Sequence, residues 1–313
     1  MEADLAKDNR KSQIANHKSR PTGAREDGWG EGGTVNIQTG CEHDCRYCYA
    51  RHDAVHRWHR CTRTAWAEPV IDAGRVDQEY PRFKGRVMFP STHDITMRNA
   101  SECLVVLRKL LEAGNEVLIV SKPSMNVTAL LVEALKRWQH HVAFRFTIGS
   151  ASDNVLSFWE PGAPNFENRI KSLSCAYYEG YCTSVSCEPY LDEFAPDVYQ
   201  ACCAYLSRPP FDRGAGGFWI GKLRRWDSRV DLSGATDEQI EQYVEPLRAA
   251  QGDEFIRAMV GHLSGRPFIR WKDSIREVIE KPPQRISATD AVPSFSREDT
   301  EENGLREIDK GID

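Results

Sequence analysis

No stretch of about 18 consecutive apolar residues occurs in this sequence, so no segment reads as a transmembrane helix. The opening residues, MEADLAKDNRKSQIANHKSRPTGARED, lack the apolar core of a secretory signal. A cytoplasmic protein without membrane association is the expectation. A basic excess is missing as well. The 41 Lys and Arg stand against 46 Asp and Glu, a formal net charge of −5. That balance does not announce a nucleic-acid binder, although a local basic groove is compatible with it. Internal repeats and low-complexity tracts are also lacking, which excludes solenoid architectures.

Cysteine, in contrast, is plentiful. Ten cysteines in a cytosolic chain stay reduced, which points to metal binding or catalysis rather than a disulfide framework. The 313 residues, 40% of them hydrophobic, suffice for one large or two modest domains. Residues 1–30 are polar and without hydrophobic period, and read as a mobile N-terminal segment. Residues 281–313 begin Lys-Pro-Pro, are acidic and poor in large apolar side chains, and read as a disordered tail.

Between them, short apolar runs alternate with amphipathic segments. Strands are expected at Thr34–Gln38, Arg86–Phe89, Glu116–Val120, Val142–Ile148, Cys182–Cys187 and Gly217–Ile220. Helical patterns cover Arg46–Trp58, Ala100–Ala113, Val127–His140, Asn165–Tyr178 and Ala195–Leu206. Leu104, Leu107, Leu110 and Leu111 give the clearest stripe, stopped by Gly114. Strands separated by helices of this length predict parallel β–α units. Six units make an α/β fold, a partial (β/α)6 barrel over residues 31–225. Asp237–Ala250 and Asp253–Leu263 then form a small helical C-terminal cap over 226–280.

The most informative stretch is Cys41-Glu-His-Asp-Cys45-Arg-Tyr-Cys48-Tyr49, directly after the first expected strand. Three thiolates on one loop can converge on a compact iron–sulfur cluster and leave one iron without a protein ligand. Zinc is the rival reading, and would need a fourth donor such as His43 or Cys61.

Three cysteines spaced three then two residues apart, with Tyr47 before the last, resemble the hallmark of the radical S-adenosylmethionine (SAM) superfamily. The resemblance implies a four-iron four-sulfur cluster on Cys41, Cys45 and Cys48, with SAM chelating the remaining iron. Reductive cleavage of SAM would give a 5′-deoxyadenosyl radical that abstracts a substrate hydrogen. A partial barrel of the radical SAM type and a reductant such as flavodoxin or ferredoxin are implied with it.

Further stretches resemble the spore photoproduct lyase-like subgroup. Phe89-Pro-Ser-Thr92-His-Asp94 is similar to the segment meeting the SAM amino group. Val120-Ser121-Lys122-Pro123 is similar to the step whose polar groups face SAM, and Phe146-Thr147-Ile-Gly-Ser150 to the ribose contact. Trp159-Glu-Pro-Gly-Ala-Pro164 followed by Arg169 is similar to a Glu-Pro…Arg stretch of the subgroup. Together these span about residues 34–190. Tyr47, Thr92, Asp94, Ser121, Lys122, Thr147, Ser150 and Glu188 are thereby the expected cofactor contacts. Each of these polar groups follows a strand, where parallel barrels collect their ligands.

The resemblance has a limit at Ser91, which stands where the subgroup's lyase carries a hydrogen-donating cysteine. A serine O–H bond is too strong for that role, so thiol-dependent photoproduct repair is not implied. Tyr49 is the candidate catalytic residue, as a radical relay, with packing against the loop as its alternative.

His52, His56 and His59 with Cys61 suggest either a second metal or ordinary surface histidines. Cys182 and Cys187 are an odd number apart, face opposite sides of a strand and read with Cys175 as core cysteines. Adjacent Cys202 and Cys203 on a helix point different ways. Glu188-Pro189 ends the fifth strand. Trp219-Ile-Gly-Lys222-Leu-Arg224-Arg225-Trp226 interleaves basic and aromatic residues, which suits either phosphates and stacked bases or a Trp-anchored cap. The substrate thus reads as a nucleotide or nucleic acid, with a peptide or small metabolite as the alternative. A non-catalytic zinc or iron–sulfur module is the third reading. Lyase-like and transferase-like chemistry both stay open.

Overall fold

Short buried runs, each followed by a helix, build one parallel sheet. The computed structural model describes residues 32–208 and 216–281. A two-residue strand β1 (Gln38–Thr39) pairs antiparallel with β2 (Val70–Ile71). Six further strands lie side by side in sequence order, every neighbouring pair parallel. They are β3 (Val87–Phe89), β4 (Val117–Ser121), β5 (Val142–Thr147), β6 (Cys182–Cys187), β7 (Gly217–Ile220) and β8 (Ile269–Trp271). The sheet is open between β8 and β3, which makes the α/β fold a partial barrel.

Alternation along the strands separates two faces. Val87, Phe89, Val117, Ile119, Phe144, Phe146, Val185, Phe218 and Ile220 belong to the main apolar core. The helix Ala100–Glu112 buries Cys103, Val106, Leu107, Leu110 and Leu111 there, and Gly114, at φ 81°, turns the chain out of it. Ser124, Ser152 and Asn165 cap three further helices by accepting from backbone N–H groups of the first turn.

The register aligns the other face in three rows. They are Met88–Leu118–Ala143–Cys182, then Val120–Arg145–Ser184–Gly217, then Thr147–Ser186–Trp219–Arg270. Polarity therefore rises toward the carboxyl ends of the strands. The fully buried Arg145 donates from Nε to Ser184 Oγ at 3.2 Å and sits 5.0 Å from the Trp219 ring. This satisfies part of a guanidinium that burial would otherwise penalise heavily.

Three sequence expectations are corrected here. Thr34–Gln38 is not a full strand: Thr34 makes a single parallel bridge to Met88, and Val35 donates to Met88 O at 3.0 Å. The chain then leaves the sheet to pair Gln38 and Thr39 with β2. The sixth strand is Ile269–Trp271 instead. Residues 226–280 therefore supply an edge strand as well as helices: Asp253–Leu263 leads into β8 and Asp273–Ile279 follows it. The expected helix Arg46–Trp58 is an α-helix only over Tyr49–His52 and widens to a π-helix over Asp53–Arg57. Cys182 packs with Leu118 and Ala143 while Cys187 joins the main core, so the opposite-face reading holds.

Among the described residues no helix is long and apolar enough to cross a membrane. The expectations for residues 1–30 and for 282–313 lie outside the described residues.

Candidate active site

A cavity of about 310 Å³ opens at the carboxyl ends of the strands, and Cys41, Cys45 and Cys48 all line it. The loop that carries them is seated on a distant segment. Arg46 N donates to Trp159 O at 2.8 Å, and Gly162 N donates to His43 O at 3.1 Å. A Cβ on Gly162 would lie 2.1 Å from Glu42 O, so only glycine permits this approach. Arg46 donates from Nε to Phe158 O at 2.9 Å and places its guanidinium 4.6 Å from the Phe158 ring.

Arg51 closes the loop from below. Its buried guanidinium donates to the carbonyls of Cys45 at 2.7 Å, Arg46 at 2.9 Å and Arg229 at 3.3 Å. Cys48 caps the helix Tyr49–His52, its Sγ accepting from Arg51 N at 3.4 Å. Outside, Arg63 bridges Asp44 at 3.1 Å and Asp231 at 2.5 Å. Against the upward push of partial burial, hydrogen bonds from Ser233 and Arg63 hold Asp231 far below the usual carboxylate range.

Burial pushes the Cys41 thiol up to about 12, with Asp94 adding to the effect. Cys45 is likewise raised by burial, opposed by Lys122. Thiols so placed hold a thiolate only with a cationic centre beside them. Buried thiols converging on one cavity, beside a lysine, are a donor set suited to an iron–sulfur cluster.

Two carboxylates organise the wall next to the thiols. Asp94 Oδ1 accepts from Ile95 N at 2.8 Å and from the Ser121 hydroxyl, while Oδ2 accepts from Lys122 N at 2.8 Å. His43 Nδ1 lies 3.2 Å from Oδ2. Burial would raise Asp94, but His43, Lys122 and Ser121 together bring it down to about 2. With three donors and His43 around it, Asp94 has little capacity left for a ligand. Glu160, wholly buried, meets Arg169 at 2.6 Å, accepts from the Tyr47 phenol and lies 3.9 Å from Lys122 Nζ. Its own burial is outweighed by Arg169 and Lys122, and its pKa is lowered. Burial depresses Lys122, yet Cys45, Tyr47 and Glu160 more than compensate and keep the ammonium protonated.

Tyr47, Tyr49, Thr92, Asp94, Ser121, Lys122, Thr147 and Glu188 all line the cavity, together with Ser186, which the sequence reading did not single out. Ser150 does not. Its hydroxyl donates to Asp192 and accepts from Ser152 N at 2.9 Å, in a fully buried position behind the wall. The Tyr49 phenol donates to Ser91 O, and the Arg229 guanidinium lies 5.7 Å from its ring. Asn36 holds the Ser91–Thr92 turn, its Oδ1 accepting from Ser91 N at 2.7 Å and Thr92 N at 2.9 Å. Glu188 pairs with Lys272 at 3.1 Å and crosses Gly221, where a Cβ would come within 2.8 Å of its Cγ.

The basic and aromatic stretch at the end of β7 divides. Lys222, Arg224 and Arg229 line the cavity, although Arg224 also pairs with Glu277 at 3.0 Å. Trp219 is buried beside Arg145, and Trp226 packs edge-on against Trp159 with rings 5.9 Å apart. Both indoles thus anchor the fold and neither is presented to a base. Among the described residues no three His, Cys, Asp or Glu side chains gather to enclose a single metal ion. For zinc at the loop, His43 is turned to Asp94 and Cys61 packs with the Trp66 cluster. His52 pairs with Asp53 at 3.4 Å and lies 5.2 Å, ring to ring, from His56.

No protein-family model matches this sequence, and neither does any curated protein. Among solved structures, the chain is similar to spore photoproduct lyase complexed with dinucleoside spore photoproduct. Identity is 16%, coverage 76% of each chain and the TM-score 0.45. A double mutant of that lyase with bound AdoMet and dinucleoside spore photoproduct matches at 17% identity and TM-score 0.44, over 75% of this chain and 74% of that one. A single mutant matches at 16% identity and TM-score 0.43, over 81% of both.

Proposed function

We propose that this protein is a radical SAM enzyme, with Cys41, Cys45 and Cys48 holding a four-iron four-sulfur cluster and SAM occupying the adjoining cavity. One observation carries the reading: three thiols of one loop line a cavity whose other walls present Lys122, Thr147, Ser186 and Glu188. When bound, the cluster supplies the electron that cleaves SAM to methionine and a 5′-deoxyadenosyl radical able to abstract a substrate hydrogen.

The remaining work falls to the protein's own groups. Lys122, kept cationic beside Glu160, offers its ammonium to a carboxylate at the cavity wall. Asp94 positions rather than binds: it fixes the Lys122 backbone and the Ser121 hydroxyl beneath the cysteine loop. Thr147 and Ser186, neighbours in register across β5 and β6, present hydroxyls suited to a ribose. Glu188, steered by Lys272, offers an acceptor to an exocyclic amine or a substrate N–H. Tyr49 closes the wall at Ser91, where its phenol stands as the nearest candidate for relaying a hydrogen atom.

Lys222, Arg224 and Arg229 on the cavity wall suit an anionic substrate, a nucleotide or nucleic acid among them. The packed state of Trp219 and Trp226 favours a second substrate reading, a small anionic metabolite or peptide group, because neither indole offers its face to a base.

Anaerobic reconstitution with iron and sulfide tests the enzyme class. The expected result is a brown protein with about four irons per chain. It should release 5′-deoxyadenosine from SAM and dithionite, and Cys41→Ala, Cys45→Ala and Cys48→Ala should each abolish both properties. A colourless protein, or iron uptake indifferent to the three substitutions, would overturn the reading. Salt-sensitive oligonucleotide binding lost in Arg224→Ala and Arg229→Ala selects the nucleic-acid substrate; its absence selects the small one.

A further inference from the structure

The helical turn that follows the cysteine loop has two unlike faces. Inward, Ala50 and Ala54 pack with Cys41 and Trp66, and Cys48 lies against them. Outward, five consecutive residues, His56, Arg57, Trp58, His59 and Arg60, are all exposed, Trp58 at 39%. The Arg60 guanidinium stands 4.7 Å and that of Arg57 5.9 Å from the Trp58 ring. Among the described residues neither arginine has an acidic partner. Asp53, the single carboxylate between residues 49 and 64, is taken by His52.

An exposed indole between two unpaired guanidinium groups has the composition of an interface centre, where Trp and Arg are enriched and supply most of the binding energy. Its charge is opposite in sign to that of the chain as a whole, so the patch is a local field that selects an acidic partner. None of the five residues lines the cavity, so the patch lies outside the proposed cofactor pocket. The patch follows Cys48 within about two helical turns of chain, on the segment whose inner face packs Ala50 and Ala54 with Cys41 and Cys48.

From this we infer that residues 56–60 are the docking surface for an acidic one-electron donor protein of the flavodoxin or ferredoxin class. The inference rests on the radical SAM reading, which requires an electron to reach the thiol loop from outside. One electron leaves the reduced donor and enters the cluster, with no atom or proton transferred. A nucleic-acid strand is the rival polyanion, but the patch offers a single indole, flanked by two histidines, rather than the extended succession of large aromatics on which bases stack.

The test uses the full-length reconstituted protein and its Arg57→Glu/Arg60→Glu and Arg57→Gln/Arg60→Gln variants. Calorimetric titration with oxidised acidic flavodoxin, at low and high salt, reads docking without turnover. Wild type should bind with an affinity that weakens as salt rises; the charge-reversed variant should lose about tenfold or more, and the neutral variant less. Formation of 5′-deoxyadenosine should be unchanged with dithionite and fall by a similar factor with flavodoxin hydroquinone. Equal flavodoxin binding by wild type and both variants overturns the inference. So does absence of wild-type binding to flavodoxin and to an acidic ferredoxin, or a loss confined to a single-stranded oligonucleotide. Failure of the dithionite reaction in wild type would instead strike the radical reading and leave the titration to judge the docking surface.

Discussion

Glu160 and Arg169 meet at 2.6 Å with neither side chain reached by solvent, and the same carboxylate accepts from Tyr47 inside the cysteine loop. The pair therefore joins the helix Phe166–Tyr178 to the loop through one buried anion. Arg169 also donates to Pro164 O at 2.7 Å and Thr147 O at 3.3 Å, which ties the seat to β5.

Removing one partner leaves the other charged and alone in the core. Arg169→Met is expected to cost about 3–5 kcal/mol of stability, read by urea unfolding of the metal-free protein. Glu160→Gln/Arg169→Met should recover part of that loss. Equal stability of Arg169→Met and wild type would show the pair to be irrelevant to the fold.

Gly162→Ala drives a methyl into the Glu42 carbonyl, backbone against backbone, so the cysteine loop must lift from its seat. Lower thermal stability and reduced iron uptake on reconstitution are expected. Gly261, inside the helix Asp253–Leu263, meets nothing within 4 Å, and alanine there should stabilise by up to about 1 kcal/mol. Opposite signs at the two glycines are the result to look for.

His93 introduces an acid limb to stability. Ile37 N donates to its Nε2 at 3.2 Å, so Nδ1 carries the proton and donates to Asp94 O at 3.0 Å. Burial lowers its pKa from 6.5 to about 4. The unfolded chain takes up a proton below pH 6.5, whereas the folded chain does so only near pH 4. Stability therefore falls as pH drops through that window, by about 3 kcal/mol in all. His93→Gln should be less stable at pH 7 and show a flatter decline toward pH 4.5 in urea titrations.

Ser150 and Lys122 separate by function. Ser150→Ala should leave SAM affinity within about twofold but cost about 1–3 kcal/mol, because Asp192 loses its buried donor. Lys122→Met should weaken SAM binding about tenfold or more while the iron content persists. Equilibrium dialysis with the reconstituted protein distinguishes them, and the reverse ranking would remove Lys122 from the cofactor site.

The cysteine loop and the alternation of strands with helices were legible because spacing and periodicity are local. Four of the six sheet strands carry apolar runs at least three residues long, and Cys182–Cys187, with only isolated apolar residues, lies between two helical patterns. Ile269–Trp271 was missed because a short edge strand with an exposed Arg270 carries no such run. Thr34–Gln38 misled because Val35 and Ile37 do point inward, although their backbone pairs only once with β3. Ser150, expected at the cavity, bonds Asp192 instead of lining it, because proximity to a strand end does not say which side of the wall a hydroxyl faces. Arg51, Asn36 and the Asp44–Arg63–Asp231 brace were invisible, since their partners include residues as distant as Arg229 and Asp231 and no local pattern marks them.

Arg51 satisfies three carbonyls of this region through protein contacts alone, and Gly162, Trp159 and Arg63 fasten the same turn from other sides. Small metal-dependent domains order their ligands only when the ion arrives, so that chelation melts them. Here the backbone of the cysteine loop is held by the protein's own contacts. Stripping iron with a chelator should bleach the protein while its near-ultraviolet circular dichroism stays folded, and refilling should need no refolding step.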